Sequence, residues 1–226
     1  MRIGGIQKTS LLDFPNMISA IVFTKGCNFA CGYCHNPELF NSGAEYSASE
    51  FFEFLETRKG KLDGVVVTGG EPCLQPDLID FIKKIKSMEF LVKLDTNGTF
   101  PNILEELLNE NLLDYIAMDI KAPLEKYQEI TGSSISTDKI SESINIIMNS
   151  GIDYEFRTTV VKSQLNFDDF EKIGDLIQGA SKYYLQKFVP TKTLNPEFMS
   201  NSTYNDEDFK RIVELLACKI SHIAVR

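Results

Sequence analysis

Six short apolar, largely β-branched runs alternate with amphipathic helical stretches along this chain, and that alternation restricts it to folds built on a parallel sheet. The runs are residues 18–24, 64–68, 90–94, 115–120, 154–161 and 183–189. Helical patterns follow them at 48–59, 76–88, 102–109, 136–150, 167–178 and 205–217, with a short strand-like end after the last. Ser47 with Glu50 three residues on is a capping box that opens the first helix. In the second, Ile79, Ile82 and Ile85 share one face while Lys83, Lys84 and Lys86 lie nearer solvent. Residues 4–15 have no sustained period and read as a loop or a short hairpin. About six strand–helix units are too few for an eight-stranded barrel. The expected fold is therefore α/β, an incomplete (β/α)6 TIM-like partial barrel. It is expected to form one domain over residues 1–226, with a core at about 16–190 and a C-terminal helical extension at 191–226.

In parallel barrels chemistry is placed at the C-terminal ends of the strands, and the polar motifs of this chain fall there. The first strand runs into Cys27, Cys31 and Cys34, which are three of the five cysteines. The second runs into Gly69-Gly70-Glu71-Pro72, where two glycines let the backbone pass close to a ligand and Glu71 adds a carboxylate. The third ends at Asp95-Thr96-Asn97-Gly98, the fourth at Asp119-Ile120-Lys121 and the sixth at Phe188-Val189-Pro190. Arg157 lies inside the fifth. Taken alone, Asp95 could cap its own turn, Asp119 and Lys121 could be a solvated pair, and Arg157 could point to solvent or inward at a carboxylate. Their shared register at the strand ends favours a common site.

Three thiolates in a short loop select zinc, copper(I) or an iron–sulfur cluster. A structural zinc site closes with four ligands, and no second Cys or His pair at a matching distance is present. Cys73 and Cys218 are far apart and unpaired, and both read as small buried hydrophobes. His35 is too close in sequence to Cys34 to complete a relaxed tetrahedron. Three protein ligands on a cubane would leave one iron open.

Composition removes other classes. The net charge of −9 argues against a nucleic-acid footprint, which needs a basic face. No apolar run is as long as a membrane span, and the N-terminus has no signal-peptide pattern. The cysteine spacing then reads as cytoplasmic metal binding and not as a secreted disulfide framework.

Cx3Cx2C, here Cys27, Cys31 and Cys34 with the aromatic Tyr33 before the third cysteine, resembles the signature of the radical S-adenosylmethionine (SAM) superfamily. The resemblance implies a 4Fe-4S cluster on those three cysteines, with SAM chelated to the open iron. It implies that Gly69, Gly70 and Glu71 contact the amino group of the SAM methionine. Asp95, Thr96, Asn97, Asp119 and Lys121 resemble the SAM pocket of glycyl radical enzyme activating enzymes, in which the two aspartates help hold a monovalent cation. Tyr33 and Arg157 are placed in the same pocket. The segments 6–15 and 33–39 narrow the likeness to activating proteins of anaerobic ribonucleoside-triphosphate reductase. In that class SAM is cleaved reductively and the 5′-deoxyadenosyl radical takes a hydrogen from a glycine of a partner enzyme, so a flavodoxin- or ferredoxin-like electron donor is implied as well.

One departure stands out. Pyruvate formate-lyase activators carry a His near the end of the sixth strand for the SAM ribose, and this chain has Gln186-Lys187-Phe188-Val189-Pro190. No extra cysteine-rich insertion follows Cys34, so further clusters are not expected. A small-molecule radical SAM enzyme such as 7-carboxy-7-deazaguanine synthase shares Cx3Cx2C and GGEP, but that family tends to follow the third cysteine with Asp, where this chain has His35-Asn36-Pro37. Residues 191–204 are the stretch free to loop over the barrel mouth, and they are expected to contact the partner.

Overall fold

The computed structural model describes residues 1–40, 43 and 45–226. Its strands form one eight-stranded sheet in sequence order: β1 (Ile3–Ser10), β2 (Ser19–Thr24), β3 (Gly64–Gly69), β4 (Leu91–Thr96), β5 (Tyr115–Asp119), β6 (Asp153–Val160), β7 (Lys182–Lys187) and β8 (His222–Val225). β1 pairs antiparallel with β2, and every later pair is parallel. The helices are α1 (Ala48–Glu56), α2 (Leu78–Ser87), α3 (Pro101–Asn109), α4 (Tyr127–Thr131), α5 (Asp138–Met148), α6 (Phe167–Leu176) and α7 (Asp206–Leu216). β2 to β7, each followed by a helical crossover, are the six expected units. β1 and β8 are the ends of an open sheet and do not pair with each other among the described residues.

The parallel strands are covered on both faces, which is why they read as continuous apolar runs. Val65, Val66 and Val67 of β3 and Ile116, Ala117 and Met118 of β5 are all buried. The helices contribute Phe51, Leu55, Ile82, Ile85, Leu104, Leu107, Ile144, Ile147, Phe170 and Ile173 to the same core. The Ser47–Glu50 capping box is formed, with the Glu50 amide donating to Ser47 Oγ at 3.2 Å and the Ser47 amide to Glu50 Oε2 at 2.7 Å.

The structure settles two details of the sequence expectation and adds a third. Of the two readings of residues 4–15, the hairpin is the one formed: β1 pairs with β2. The strand-like end expected after the last helix is β8, which pairs parallel with β7, so the extension is not only helical. The crossover from β5 also carries α4, whose single turn is too short to show a period and ends at Gly132 with φ 62°.

Candidate active site

A cavity of about 200 Å³ opens at the C-terminal ends of the strands. One wall is the cysteine loop, with Cys27, Phe29, Cys31, Tyr33, Cys34 and His35; the other carries Asp95, Thr96, Asn97, Asp119, Lys121, Arg157 and Thr159, and Thr68, Gly69 and Gly70 form its floor. Residues from five separate strand ends thus converge on one space. Cys73 and Cys218 do not line it; Cys73 is buried as expected, whereas Cys218 is exposed just after the last helix.

The polar wall is a chain of alternating charges. The Arg157 guanidinium donates from Nε to Asp119 Oδ1 at 3.0 Å and from Nη1 to Asp95 Oδ2 at 3.2 Å, so one planar fork bridges two carboxylates. Lys121 Nζ donates to Asp119 Oδ2 at 3.0 Å, and the buried Lys93 closes on Asp95. Burial alone would raise Asp119, but Arg157 and Lys121 outweigh it and hold the carboxyl at about 2. Asp95 is lowered in the same way by Arg157 and Lys93, against the effect of its burial. Arg157 and Lys121 lose by burial and gain more from their carboxylates, so both are held firmly charged. Arg157 Nη1 also lies 4.0 Å from the buried Glu155, so three cations meet three carboxylates and the wall is close to balanced; Lys121 and Arg157 are the cations that line the cavity. Arg157 therefore points inward, Asp95 is not a turn cap, and Asp119 and Lys121 are not a solvated pair.

Glu71 departs from its expected role. It is fully buried and does not line the cavity. Its carboxylate accepts from the Cys73 amide and Thr96 Oγ1, each at 2.9 Å, and from the Asn97 amide at 2.7 Å. Burial pushes its pKa up while these donors pull the other way. It braces the β3 loop to the β4 loop. The glycines also answer to the protein before any ligand: a Cβ on Gly70 would lie 2.1 Å from the Gly26 carbonyl oxygen, and one on Gly69 2.3 Å from the Thr24 amide nitrogen. The β3 loop can sit against the start of the cysteine loop only without side chains there.

The cysteine loop is tied from two further sides. Asn97 Nδ2 donates to Asn28 Oδ1 at 2.9 Å, and Asn28 Nδ2 donates to Thr99 Oγ1 at 2.8 Å. The Ala30 amide donates to the Thr131 carbonyl of α4 at 2.7 Å. Asn28, Thr99 and α4 were not legible as parts of a site. Lys93 was legible in principle, since strand periodicity puts Lys93 and Asp95 on one face.

Burial pushes the Cys27 thiol up to about 12 and raises Cys31 as well. Among the described residues no three His, Cys, Asp or Glu side chains converge tightly enough to ligate a single ion. Cys27, Cys31 and Cys34 all line one cavity, and those three thiolates would be the residues to hold an iron–sulfur cluster there. The Tyr33 hydroxyl is buried with no hydrogen-bond partner among the described residues. Such an orphan costs ~1–3 kcal/mol, and because Tyr33 lines the cavity beside Lys121, a group that filled the space would lie against it.

An open (β/α)6 sheet with a three-thiol loop at the mouth defines a class, and the sequence agrees with it. The profile of the Radical SAM superfamily matches residues 21–177. The chain belongs to the radical SAM superfamily and is an enzyme of that class, in which a 4Fe-4S cluster and SAM are the cofactors. A Methanocaldococcus jannaschii protein named as a glycyl-radical enzyme activating enzyme is 31% identical over 99% of this chain and 95% of its own length. The pyruvate formate-lyase-activating enzyme of Clostridium pasteurianum is 30% identical over 85% of this chain and 83% of its own. A Pyrococcus horikoshii protein named as a GTP 3′,8-cyclase is 27% identical over 88% of this chain but only 65% of its own. Among solved structures, Streptococcus suis SuiB bound to its precursor peptide SuiA shares the fold with a TM-score of 0.72, at 13% identity over 91% of this chain and 48% of that one.

Proposed function

We propose that this enzyme activates a glycyl radical enzyme. In this reading Cys27, Cys31 and Cys34 hold the 4Fe-4S cluster, and SAM occupies the space between them and the Asp95–Arg157–Asp119–Lys121 wall. The observation that carries it is the facing of three thiols and one charged wall across a single cavity at the strand ends, in a chain whose full-length relatives are named as activating enzymes. When bound, the cluster and SAM supply reductive cleavage of SAM to methionine and a 5′-deoxyadenosyl radical able to take a hydrogen from a glycine Cα.

The chain's own residues hold and orient. Lys121 and Arg157 face the SAM carboxylate from this wall, and Asp95 and Asp119 are kept anionic so that the wall does not reorganise on binding. Thr96, Asn97, Gly69 and Gly70 offer backbone and side-chain polar atoms to the methionine end, with Glu71 fixing the loop that presents them. A monovalent cation near Asp95 and Asp119 belongs to this reading too, as do a partner glycyl radical enzyme of the anaerobic ribonucleoside-triphosphate reductase type and a flavodoxin- or ferredoxin-like donor. Residues 191–204 stand at the mouth, where the partner's glycine loop would enter.

The test is anaerobic reconstitution. The protein is expected to take up one 4Fe-4S cluster and to cleave SAM slowly when reduced. With a glycyl radical enzyme encoded beside it, it should produce a glycyl-type doublet in electron paramagnetic resonance. Cys27→Ala, Cys31→Ala and Cys34→Ala should each abolish cleavage, while Cys73→Ala and Cys218→Ala keep the full iron content. Rapid turnover of a small metabolite with no protein partner would instead place the chain with the small-molecule enzymes of the superfamily, a reading that the cyclase relative keeps in view.

A further inference from the structure

The segment between β7 and α7 is not a free loop. The Asn195 amide donates to the Gly32 carbonyl at 2.9 Å, and the Leu194 amide donates to the Cys34 carbonyl at 3.0 Å. Four residues on, Phe198 lies over the same peptide: a Cβ on Gly32 would be 2.4 Å from Phe198 Cε2, and the Phe198 and Tyr33 rings are 6.3 Å apart. The far end of the segment is pinned to β6, where the Lys162 amide donates to the Ser202 carbonyl at 2.9 Å and Thr203 Oγ1 to the Val160 carbonyl at 2.8 Å. The segment thus runs from β7 to the loop after β2 and back to β6. It thereby links the two sides of a sheet whose ends, β1 and β8, do not pair with each other among the described residues.

From this path we infer that residues 189–203 are a strap that closes the barrel at its mouth, and that Phe198 is a positioning residue for the cysteine loop. Inside the loop the Cys34 amide donates to the Cys31 carbonyl at 3.0 Å, and the loop's other ties are near its start, at Gly26, Asn28 and Ala30. Between Gly32 and Cys34 the hold from outside the loop comes from the strap, through two backbone bonds and one aromatic ring packed against Gly32. Cys31 and Cys34 are therefore set by a segment more than 150 residues away in sequence. The outer side of the strap carries Met199, which is exposed. The inference rests on the cysteine-ligand reading only for what happens to the cluster; the strap–loop contact stands without it.

A double-mutant cycle tests it, with Gly32→Ala, Phe198→Ala and the pair. In the iron-free protein, hydrogen exchange at residues 191–204 and at 31–36 should rise together in Phe198→Ala by at least about tenfold, with exchange in β3 to β5 unchanged. After anaerobic reconstitution, Gly32→Ala should lose at least half of the bound iron and shift the electron paramagnetic resonance signal of the reduced cluster. Phe198→Ala added to Gly32→Ala should restore iron toward the level of Phe198→Ala alone. Unchanged exchange in Phe198→Ala overturns the strap. Additive losses in the pair, or a full and spectrally unaltered cluster in Gly32→Ala, overturn the positioning role. If Gly32→Ala does not fold, the exchange result for Phe198→Ala decides. Wild-type protein that binds no iron would instead refute the ligand assignment and leave the exchange test intact.

Discussion

The carboxylate of Glu71 is occupied by donors from two loops, so its loss should be felt before any ligand binds. Glu71→Gln turns one acceptor into a donor that faces amide and hydroxyl donors, and an unsatisfied buried group costs ~1–3 kcal/mol. We expect the iron-free variant to unfold at lower denaturant by about that amount; a residue that served only as a ligand would leave the midpoint unchanged. Arg157 makes a second case, because it is the shared partner of Asp95 and Asp119. Removing one member of a buried pair costs ~3–5 kcal/mol, and Arg157→Met should approach that at pH 7. The sign with pH follows from the depressed carboxyls. In the wild-type protein their contribution is complete above the ordinary carboxylate range and is lost as pH falls toward the Asp119 value of about 2. The variant has less of it to lose, so the stability gap should narrow as pH falls from 7 to 3. A gap that widens over that range would contradict the bridge.

Where β3 meets the cysteine loop, the element scale sets the tolerance. Gly70→Ala drives a Cβ to within 2.1 Å of the Gly26 backbone, which has no flexible end to yield. Overpacking usually costs ~1–3 kcal/mol, and a backbone clash belongs at the upper end. Thermal unfolding of the iron-free protein should show a drop of at least about 2 kcal/mol, whereas a glycine needed only for ligand approach would show none. These loops also mark what could be read in advance. β2 to β7 were legible because burial on both faces writes them as apolar runs, and the Asp95, Asp119, Lys121 and Arg157 cluster followed from their places at the ends of those runs. α4 was not, since one helical turn carries no period, although Thr131-Gly132 is a helix-ending signal. The bracing contacts of Glu71 were not legible, because a carboxylate after two glycines looks the same whether it faces a ligand or a neighbouring loop. Phe198 left no mark at all. Its partner Gly32 is distant in sequence, and only the path of the chain across the mouth brings them together.

At the scale of the whole molecule, an open sheet with its ends unjoined needs something else to define the mouth, and the strap at 189–203 does so while leaving apolar groups turned outward. Val189 is 55% exposed and Met199 45%, in a chain whose other large exposed hydrophobics, Leu11, Leu12, Ile18 and Tyr46, include three on the β1–β2 connection at the opposite end of the strands. Exposed apolar groups beside a cavity rim are suited to covering by a protein surface. A partner that brings a glycine loop to this mouth would cover Val189. A small metabolite that diffuses into the cavity would not touch it. Val189→Lys should therefore leave reductive SAM cleavage without partner within about twofold of wild type. The concentration of glycyl radical enzyme needed for half-maximal activation should rise by at least fivefold, a loss of ~1 kcal/mol of association. Equal activation of the partner by Val189→Lys and wild type, across a full titration, would show that the partner approaches from another side of the barrel.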